Sequence, residues 1–457
     1  MAINGPTEII FVLEVSVEGV VDMKAPLVWA LRHRLRKGFF RNLSIVASGT
    51  AVAQIITVAC TPVLTRMYRT EAFGVFGVFM VWIGLVSCVS SGRYHMAVML
   101  SRSDDDAVNV AILAGGLSVL TGLLLLLLLP VSGRVCTLLG APELTPYVIW
   151  LPIITVVSGW FAVLNDWAGR NNNFVLIFWS IIVGSAATNG WKVWAGLLDP
   201  SAKGLIVSTF VMFAAQCTVL LQKDFGRIAR LVRSYCSYSK IKCLAKQHRR
   251  LPIYRAPKDF LNALSQSAPV LMLSLLFSAD KAGLFVLVDR VLRAPSAFLG
   301  DAVRRVFYPK AADIYHEGGS LYSAVTKATA GLAAIGAPPF LVVVVFGPKL
   351  FGVVFGEQWV EAGIYARWVG IAMYSMFISE PAAVLVPVLR LERSFLIFEV
   401  VSLGIRVLGL LLGGVLLHSD TAAIVLFSLL AAASNVIYIA FVIGQTWLGR
   451  ARFLERI

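Results

Sequence analysis

Residues 107–129 read AVNVAILAGGLSVLTGLLLLLLL, an uninterrupted run without a single charge. At 1.5 Å per residue a helix of this length reaches about 35 Å, more than the roughly 30 Å hydrocarbon core of a bilayer. Lipid offers no water to unpaired peptide groups, so such a run crosses as a helix that satisfies its own backbone. Working outward from it, apolar runs of similar length lie near 43–65, 73–91, 147–167, 174–194 and 204–221. A second set follows near 260–279, 283–305, 324–346, 364–388, 396–417 and 422–447. The composition agrees: 58% hydrophobic and 14% charged residues, with a mean hydropathy of +0.81 over 457 residues. The expected fold is an all-α polytopic membrane protein of about twelve spans in two six-helix lobes.

Lys and Arg segregate between the two sets of helix ends. One set holds Arg93, Arg102, Arg170, the segment from Lys223 to Lys258, Arg304, Arg305, Lys310, Arg390, Arg393 and the tail Arg450, Arg452 and Arg456. The other holds only Arg66, Arg69, Arg134, Lys192, Lys203, Lys281 and Lys349. Cytoplasmic loops carry the excess of Lys and Arg, so both termini and the central loop are expected in the cytoplasm. The resulting division is a leader over 1–41, an N-lobe over 42–221, a basic loop over 222–258, a C-lobe over 259–447 and a tail over 448–457. Within the leader, Ile9 to Val21 is interrupted by Glu14 and Glu18 and fails both as a signal peptide and as a span. Met23, followed by Lys24, Arg32, Arg34, Arg36, Lys37 and Arg41, reads as an alternative start; a disordered tail is the plainer alternative.

The halves look duplicated. Asn42, Gln54, Pro62 and Leu64 precede Phe73-Gly74-Val75-Phe76, and Asn262, Gln266, Pro269 and Leu271 precede Ala282-Gly283-Leu284-Phe285. Each pair places a polar-studded helix, a short turn and a Gly-containing helix start in the same order, as parallel repeats do.

The net charge of +15 is explained by membrane topology without nucleic acid. No Gly-x-x-x-x-Gly-Lys-Ser/Thr sequence is present to bind a nucleotide. Cys60, Cys88, Cys136, Cys217, Cys236 and Cys243 are scattered without a Cys-x-x-Cys pair, and the five histidines are dispersed, so neither a metal site nor a cofactor is expected.

Several stretches resemble bacterial polysaccharide-biosynthesis flippases, including the O-antigen flippases, of the multidrug/oligosaccharidyl-lipid/polysaccharide exporter superfamily. They are Ser48-Gly49-Thr50-Ala51 to Gln54, Pro62 to Tyr68 with Phe73-Gly74, Arg93-Tyr94 with Ala97 to Leu100, and Phe355-Gly356-Glu357-Gln358-Trp359 with Ala362 to Tyr365. The chain departs from the family pattern at His95, where an acidic residue commonly follows Arg-Tyr. The resemblance implies a transporter that turns an undecaprenyl-pyrophosphate-linked oligosaccharide across the membrane by alternating access of two lobes. Its product would feed O antigen, capsule or exopolysaccharide assembly, with a polysaccharide polymerase and other assembly proteins as partners.

Charges within the spans are the site candidates, because an Arg at a helix centre costs about 2.5–3.5 kcal/mol on insertion scales and faces protein or water. Arg290 and Arg293 in the eighth span and Arg406 in the eleventh suit a phosphate, which Arg binds bidentately. Asp289 lies four residues before Arg293 and Glu399 seven before Arg406, so each has an in-helix partner; Arg290 has none and is the leading substrate contact. Glu380, followed by Pro381, is a carboxylate beside a kink, read either as a coupling proton site or as a structural acid. Asp301 would face Arg304 or Arg305. The N-lobe offers Gln54, Asn165 and Asp166, giving a cavity with one cationic and one neutral wall. Trp82, Trp150, Trp160, Trp191 and Trp194 read mostly as interface anchors. The basic loop is drawn to anionic membrane lipid, and Asp104-Asp105-Asp106 is a helix start. A polytopic polymerase or glycosyltransferase would need a large outer loop or an Asp-x-Asp nucleotide-sugar site, and neither is seen. Small-molecule cation efflux would call for carboxylates in the cavity, whereas Arg prevails.

Overall fold

A computed structural model describes residues 25–101, 103–138, 141–316, 320–389 and 391–454. Every regular element among the described residues is helical. The first half comprises α1 (Ala25–Met67), α2 (Thr70–Ser90), the short α3 (His95–Leu100), α4 (Asp104–Leu127), α5 (Ser132–Leu138), α6 (Trp150–Arg170), α7 (Phe174–Leu198) and α8 (Ala202–Tyr235). A linker helix, α9 (Tyr238–Gln247), leads to the second half. That half contains α10 (Ala256–Leu276), α11 (Ala279–His316), α12 (Leu321–Phe355), α13 (Val360–Ile378), α14 (Glu380–Val388), α15 (Glu392–Leu411) and α16 (Asp420–Leu454).

Ten of the described segments are long and apolar enough to cross a membrane, with α13 and α14 counted as one. The expected seventh and eighth spans are α10 and α11, of 21 and 38 residues. Both have spanning length, but α11 carries Asp289, Arg290 and Arg293 where its neighbours are apolar. The helices are sparsely buried by one another, as expected when lipid covers the rest. Leu123, Leu124, Leu126, Leu127 and Leu128 are exposed, while Leu125 and Leu129 pack against the core. α4 starts where the Ser103 hydroxyl accepts the Asp106 N–H at 3.1 Å, with three Asp side chains in its first turn.

In the first half α1 packs on α7, α7 on α8, and α4 and α8 on α6; in the second, α12 and α16 pack on α13 and α15 on α16. The halves meet along α2, which lies against both α10 and α11. One continuous core spans the junction, joining Phe73, Phe76 and Phe79 of α2 to Leu284, Phe285 and Val288 of α11 and to Trp359 and Tyr365. The contact is reciprocal. A Cβ on Gly74 would lie 1.6 Å from the carbonyl oxygen of Ala279, four residues before Gly283; a Cβ on Gly283 would lie 2.1 Å from that of Thr70, four residues before Gly74. Three residues on, a Cβ at Gly77 would meet Val286, its counterpart, at 2.3 Å. Residue i touching j while j touches i is the mark of a two-fold relation, here between α2 and α11. The paired Gly motifs therefore lie on the pseudo-two-fold axis, and glycine is required because the helices meet backbone to backbone.

Three segments outside the lobes are largely helical over their described residues. The segment 222–258 is mostly helical rather than a loop: α8 runs to Tyr235, α9 follows, and a π turn at Leu251–Arg255 leads into α10. The cause lies between its cations, where Ile228, Leu231 and Val232 recur at helical spacing and pack on the core. The leader is helical from Ala25, continuous with α1, and the tail is helical to Leu454. Met23 as a start, and the acidic interruption at Glu14 and Glu18, lie outside the described residues, as do Arg102, Arg390 and Arg456. The side chains of Asp301, Arg304 and Arg305 also lie outside the description.

Candidate functional site

Arg290 sits eleven residues into α11, about 16 Å from its start. It is half-buried, and among the described residues no carboxylate pairs with it. Its neighbour in charge comes from the other half: Lys192 of α7 lies within electrostatic reach of Arg290. Lys192 is only 4% exposed, with its ammonium 5.1 Å above the ring of Phe76 on α2. A cation on a ring face gains about 0.5–2 kcal/mol, less than the cost of taking the charge from water. The Tyr68 hydroxyl donates to the Lys192 carbonyl at 2.7 Å, fixing the backbone at that level. No described carboxylate pairs with Lys192 either. Two basic side chains without a described carboxylate partner, one from each half, thus lie beside α2 at the junction.

The other candidates are placed differently. Arg293 is neutralised within its own helix, with Nε 3.0 Å from both Asp289 oxygens and Nη2 at 2.6 Å, and its Nη1 donates to Gln266 of α10 at 3.3 Å. Arg406 donates to Glu399 at 3.0 Å and to the Ser402 carbonyl at 3.2 Å. Its helix, α15, packs chiefly on α16 and α10, so Arg406 is not brought beside Arg290. Glu380 opens α14 directly after a break at Ser379, with Pro381 in the first turn, where Pro is tolerated. Its carboxylate lies against Gly300 of α11, at the positive end of its own helix. It is half-exposed rather than buried.

Lys192, which the sequence places among the charges at helix ends, lies six residues inside α7 and is buried. The available signal was Asn189, one turn earlier in the same apolar helix: two polar residues at i and i+3 share a face. Asn189 is also buried and donates to Thr57 of α1 at 3.2 Å. The first half therefore brings a basic side chain to the junction beside the polar residues expected of it.

One end of the junction is closed. Besides the Gly74–Gly283 contact, Thr70 bonds Asp280, and Arg66 Nη2 donates to the Val353 carbonyl at 3.0 Å. The last turn of α1 leaves carbonyls without intrahelical partners. Gln358 Nε2 donates to Thr65 O at 2.6 Å and to Tyr68 O at 3.2 Å, and Trp359 Nε1 donates to Thr65 O at 2.8 Å. Phe73 meets the Trp359 ring edge-on at 5.1 Å. The Phe355-Gly356-Glu357-Gln358-Trp359 stretch is thus a cap supplied by the second half to a helix of the first. Behind it, Lys281 pairs with Glu361 and, at 2.9 Å, with Asp420, which accepts from Tyr365 at 2.6 Å.

At the other end the halves are tied by Arg93 Nε and Asp259 Oδ2, 3.0 Å apart, an ion contact without a linear hydrogen bond. Asp259 also pairs with Arg255 at 3.2 Å. Arg93 thereby finds across the junction the carboxylate that the adjacent position, His95, does not supply. Arg93 adopts φ +58°, next to Gly92 at +54°. His95 Nδ1 lies 2.8 Å from the Ser91 hydroxyl, and burial together with the Arg93 guanidinium pushes its imidazole down to about 4.

In solved structures the fold is similar to an inward-facing multidrug resistance MATE family transporter of the MOP superfamily, with TM-score 0.67, 15% identity, 89% of this chain covered and 98% of that one. It is also similar to a MOP superfamily transporter from Pyrococcus furiosus, with TM-score 0.57, 15% identity and coverage of 91% and 96%. The outward-facing form of a multidrug resistance MATE family transporter gives TM-score 0.54 at 15% identity, covering 91% and 96%. At these identities the likeness is one of fold. A search of curated proteins gives no match. A family model described as a polysaccharide biosynthesis protein matches residues 63–363. The chain is a multi-pass membrane protein with a transporter fold, and it belongs to the polysaccharide biosynthesis protein family.

Proposed function

We propose that the protein is an inner-membrane flippase that moves an undecaprenyl-pyrophosphate-linked oligosaccharide from the cytoplasmic to the periplasmic leaflet by alternating access, with both termini in the cytoplasm. The single observation that carries the reading is the pair Lys192 and Arg290, two basic side chains brought near each other from opposite halves with no described carboxylate pairing with either. A pyrophosphate headgroup is a polyanion that must pass a medium where charge is costly. Cations facing it offset that cost, Arg by bidentate contact and Lys as a point charge. Arg293 and Arg406 keep their carboxylates and would hold the surrounding helices in place or meet the glycan. Glu380 remains the candidate for ion coupling. The family assignment supports a role in surface polysaccharide assembly, and the paired cations favour an anionic cargo over the cationic one expected of drug efflux.

The test is deletion of the gene in its host, with extraction of undecaprenyl-linked oligosaccharide and surface glycan. Complementation would use wild type, Arg290→Ala, Lys192→Ala and, as a control, Arg134→Ala. Lipid-linked units held at the cytoplasmic face, with surface glycan lost, are expected in the deletion. Arg290→Ala and Lys192→Ala, expressed at normal levels, should each fail to restore at least ~90% of the glycan, a loss of roughly 1.4 kcal/mol or more per cation. Units that reach the periplasm unpolymerised would make the protein a polymerase, and unchanged glycan would make it an exporter of something else.

A further inference from the structure

The densest unpaired charge outside the junction lies on the linker. Between Lys223 and Lys258 stand eleven Lys and Arg and a single acid, Asp224. One face of α9 is fastened to the first half. Lys240 pairs with Asp105 and, at 3.5 Å, with Asp106; the buried Leu244 packs among Ala97, Val108 and Trp167. The Tyr94 hydroxyl donates to the Ala245 carbonyl at 3.0 Å, and the Ser237 N–H donates to Asn109 at 3.0 Å. The acidic run at the start of α4 is therefore the seat of this helix as well as a helix start.

Helical spacing puts Lys242 and Lys246, at i and i+4, on the side of α9 opposite Lys240 and Leu244, and Arg249 and Arg250 follow in the turn after its end. All four are exposed, and no described carboxylate pairs with them. Beside them Tyr238, Ile253 and Tyr254 are 82%, 56% and 71% exposed, the amphipathic and apolar side chains that sit at headgroup level. The helix lies where α4 begins and α10 enters, and so at the membrane surface. Four like charges so close together repel each other until a counter-charge arrives, and the described residues supply none.

We infer that the outer face of α9 and the turn that follows it are a docking surface for anionic phospholipid headgroups, with Lys242, Lys246, Arg249 and Arg250 as its contacts and Tyr238, Ile253 and Tyr254 set into the headgroup layer. The inference needs only that the chain is embedded in a membrane and stands apart from the flippase reading. The fastened face then makes the lipid contact consequential, because the linker runs on through Arg255 and Asp259 to the ion contact with Arg93.

The test is native mass spectrometry of the full chain in detergent, titrated with phosphatidylglycerol or phosphatidylcholine. A juxtamembrane cation is worth about fivefold in partition to an anionic surface. Wild type should therefore bind phosphatidylglycerol at least about tenfold more tightly than phosphatidylcholine. Replacing all four cations by Gln should reduce that preference to less than about threefold. Lys242→Arg with Lys246→Arg should keep it, and so should Arg134→Gln with Lys203→Gln and Lys349→Gln at the opposite end. A preference retained by the fourfold Gln variant overturns the proposal. Displacement of the lipid by equimolar inorganic phosphate also overturns it, because the face would then take any small anion, as does loss of the preference in the Lys-to-Arg variant.

Discussion

Gly74→Ala separates closure of the junction from stability of the fold. The added Cβ would lie 1.6 Å from the Ala279 oxygen and 2.5 Å from its carbonyl carbon. Both are backbone atoms within a helix that cannot rotate aside, and a comfortable separation is about 3.5 Å. α2 and α11 must then part by about 2 Å wherever the closed end forms. Overpacking of this kind costs about 1–3 kcal/mol, which moves a closed-to-parted ratio by about 5- to 150-fold. The same substitution adds about 1 kcal/mol of helix propensity in both arrangements, so the parted form has no reason to unfold. Gly84→Ala in the same helix meets nothing within 4 Å and supplies the control. The assay is a spin-label distance between Leu197→Cys and Val353→Cys, exposed residues of opposite halves near the closed end, in a background without the six native cysteines. Gly74→Ala should shift the distribution to longer distances and Gly84→Ala should not. Identical distributions for wild type and Gly74→Ala would refute backbone contact as the determinant of closure.

Trp359→Phe keeps the ring against Phe73 but removes the donor to Thr65 O; at about 1 kcal/mol for one hydrogen bond the closed form should lose about fivefold in the same distance measurement. Gln358→Ala removes two bonds and should shift it further. Asp259→Asn leaves Arg93 and Arg255 without their shared carboxylate, and a double-mutant cycle with Arg93→Gln, followed by thermal unfolding in detergent, should return a coupling of about 0.5–3 kcal/mol. For His95, burial and Arg93 lower the folded pKa to about 4 from 6.5, so as pH falls the unfolded chain takes the proton first. The stability present above pH 6.5 is then lost progressively down to pH 4, by at most about 3 kcal/mol at 1.36 kcal/mol per unit, and His95→Gln should flatten the melting temperature across that window.

The fold was legible because membrane spanning is written in length and hydropathy, which need no tertiary information. The duplication was legible in the paired Gly motifs, and the structure adds that Gly74 and Gly283 touch across the axis relating them. Alternation of charge with apolar residues in 222–258 hides the helices there, because a basic segment drawn to anionic lipid gives no sign in sequence that some of its cations are ion-pair partners of Asp104 and Asp105. Arg227 reaches Asp104 at 3.3 Å and Lys240 reaches Asp105, pairings between residues more than 120 positions apart. The in-helix pairs Asp289–Arg293 and Glu399–Arg406 were readable from spacing alone, since a helix fixes which side chains can meet. Lys192 was not, because its depth depends on how α7 packs behind Phe76.

The placement of Lys192 and Arg290 on different halves bears on how cargo and motion are linked. Two like charges repel, and the repulsion grows as the halves that carry them approach. A polyanion between them converts that repulsion into two attractions, so its binding is tighter where the cations are closer together. A ligand shifts a conformational equilibrium only by its differential affinity for the two states. Cations confined to one half, as the sequence alone implied, would bind the anion with the same strength in every arrangement and shift nothing. Under the proposed reading, a basic pair divided between the halves would make the headgroup itself the agent that favours one arrangement over the other. Under the proposed reading, Lys192→Ala should therefore abolish the cargo-induced change in the Leu197→Cys to Val353→Cys distance while leaving the cargo-free distance little altered. An undiminished response to cargo in Lys192→Ala would show that the coupling runs through other residues.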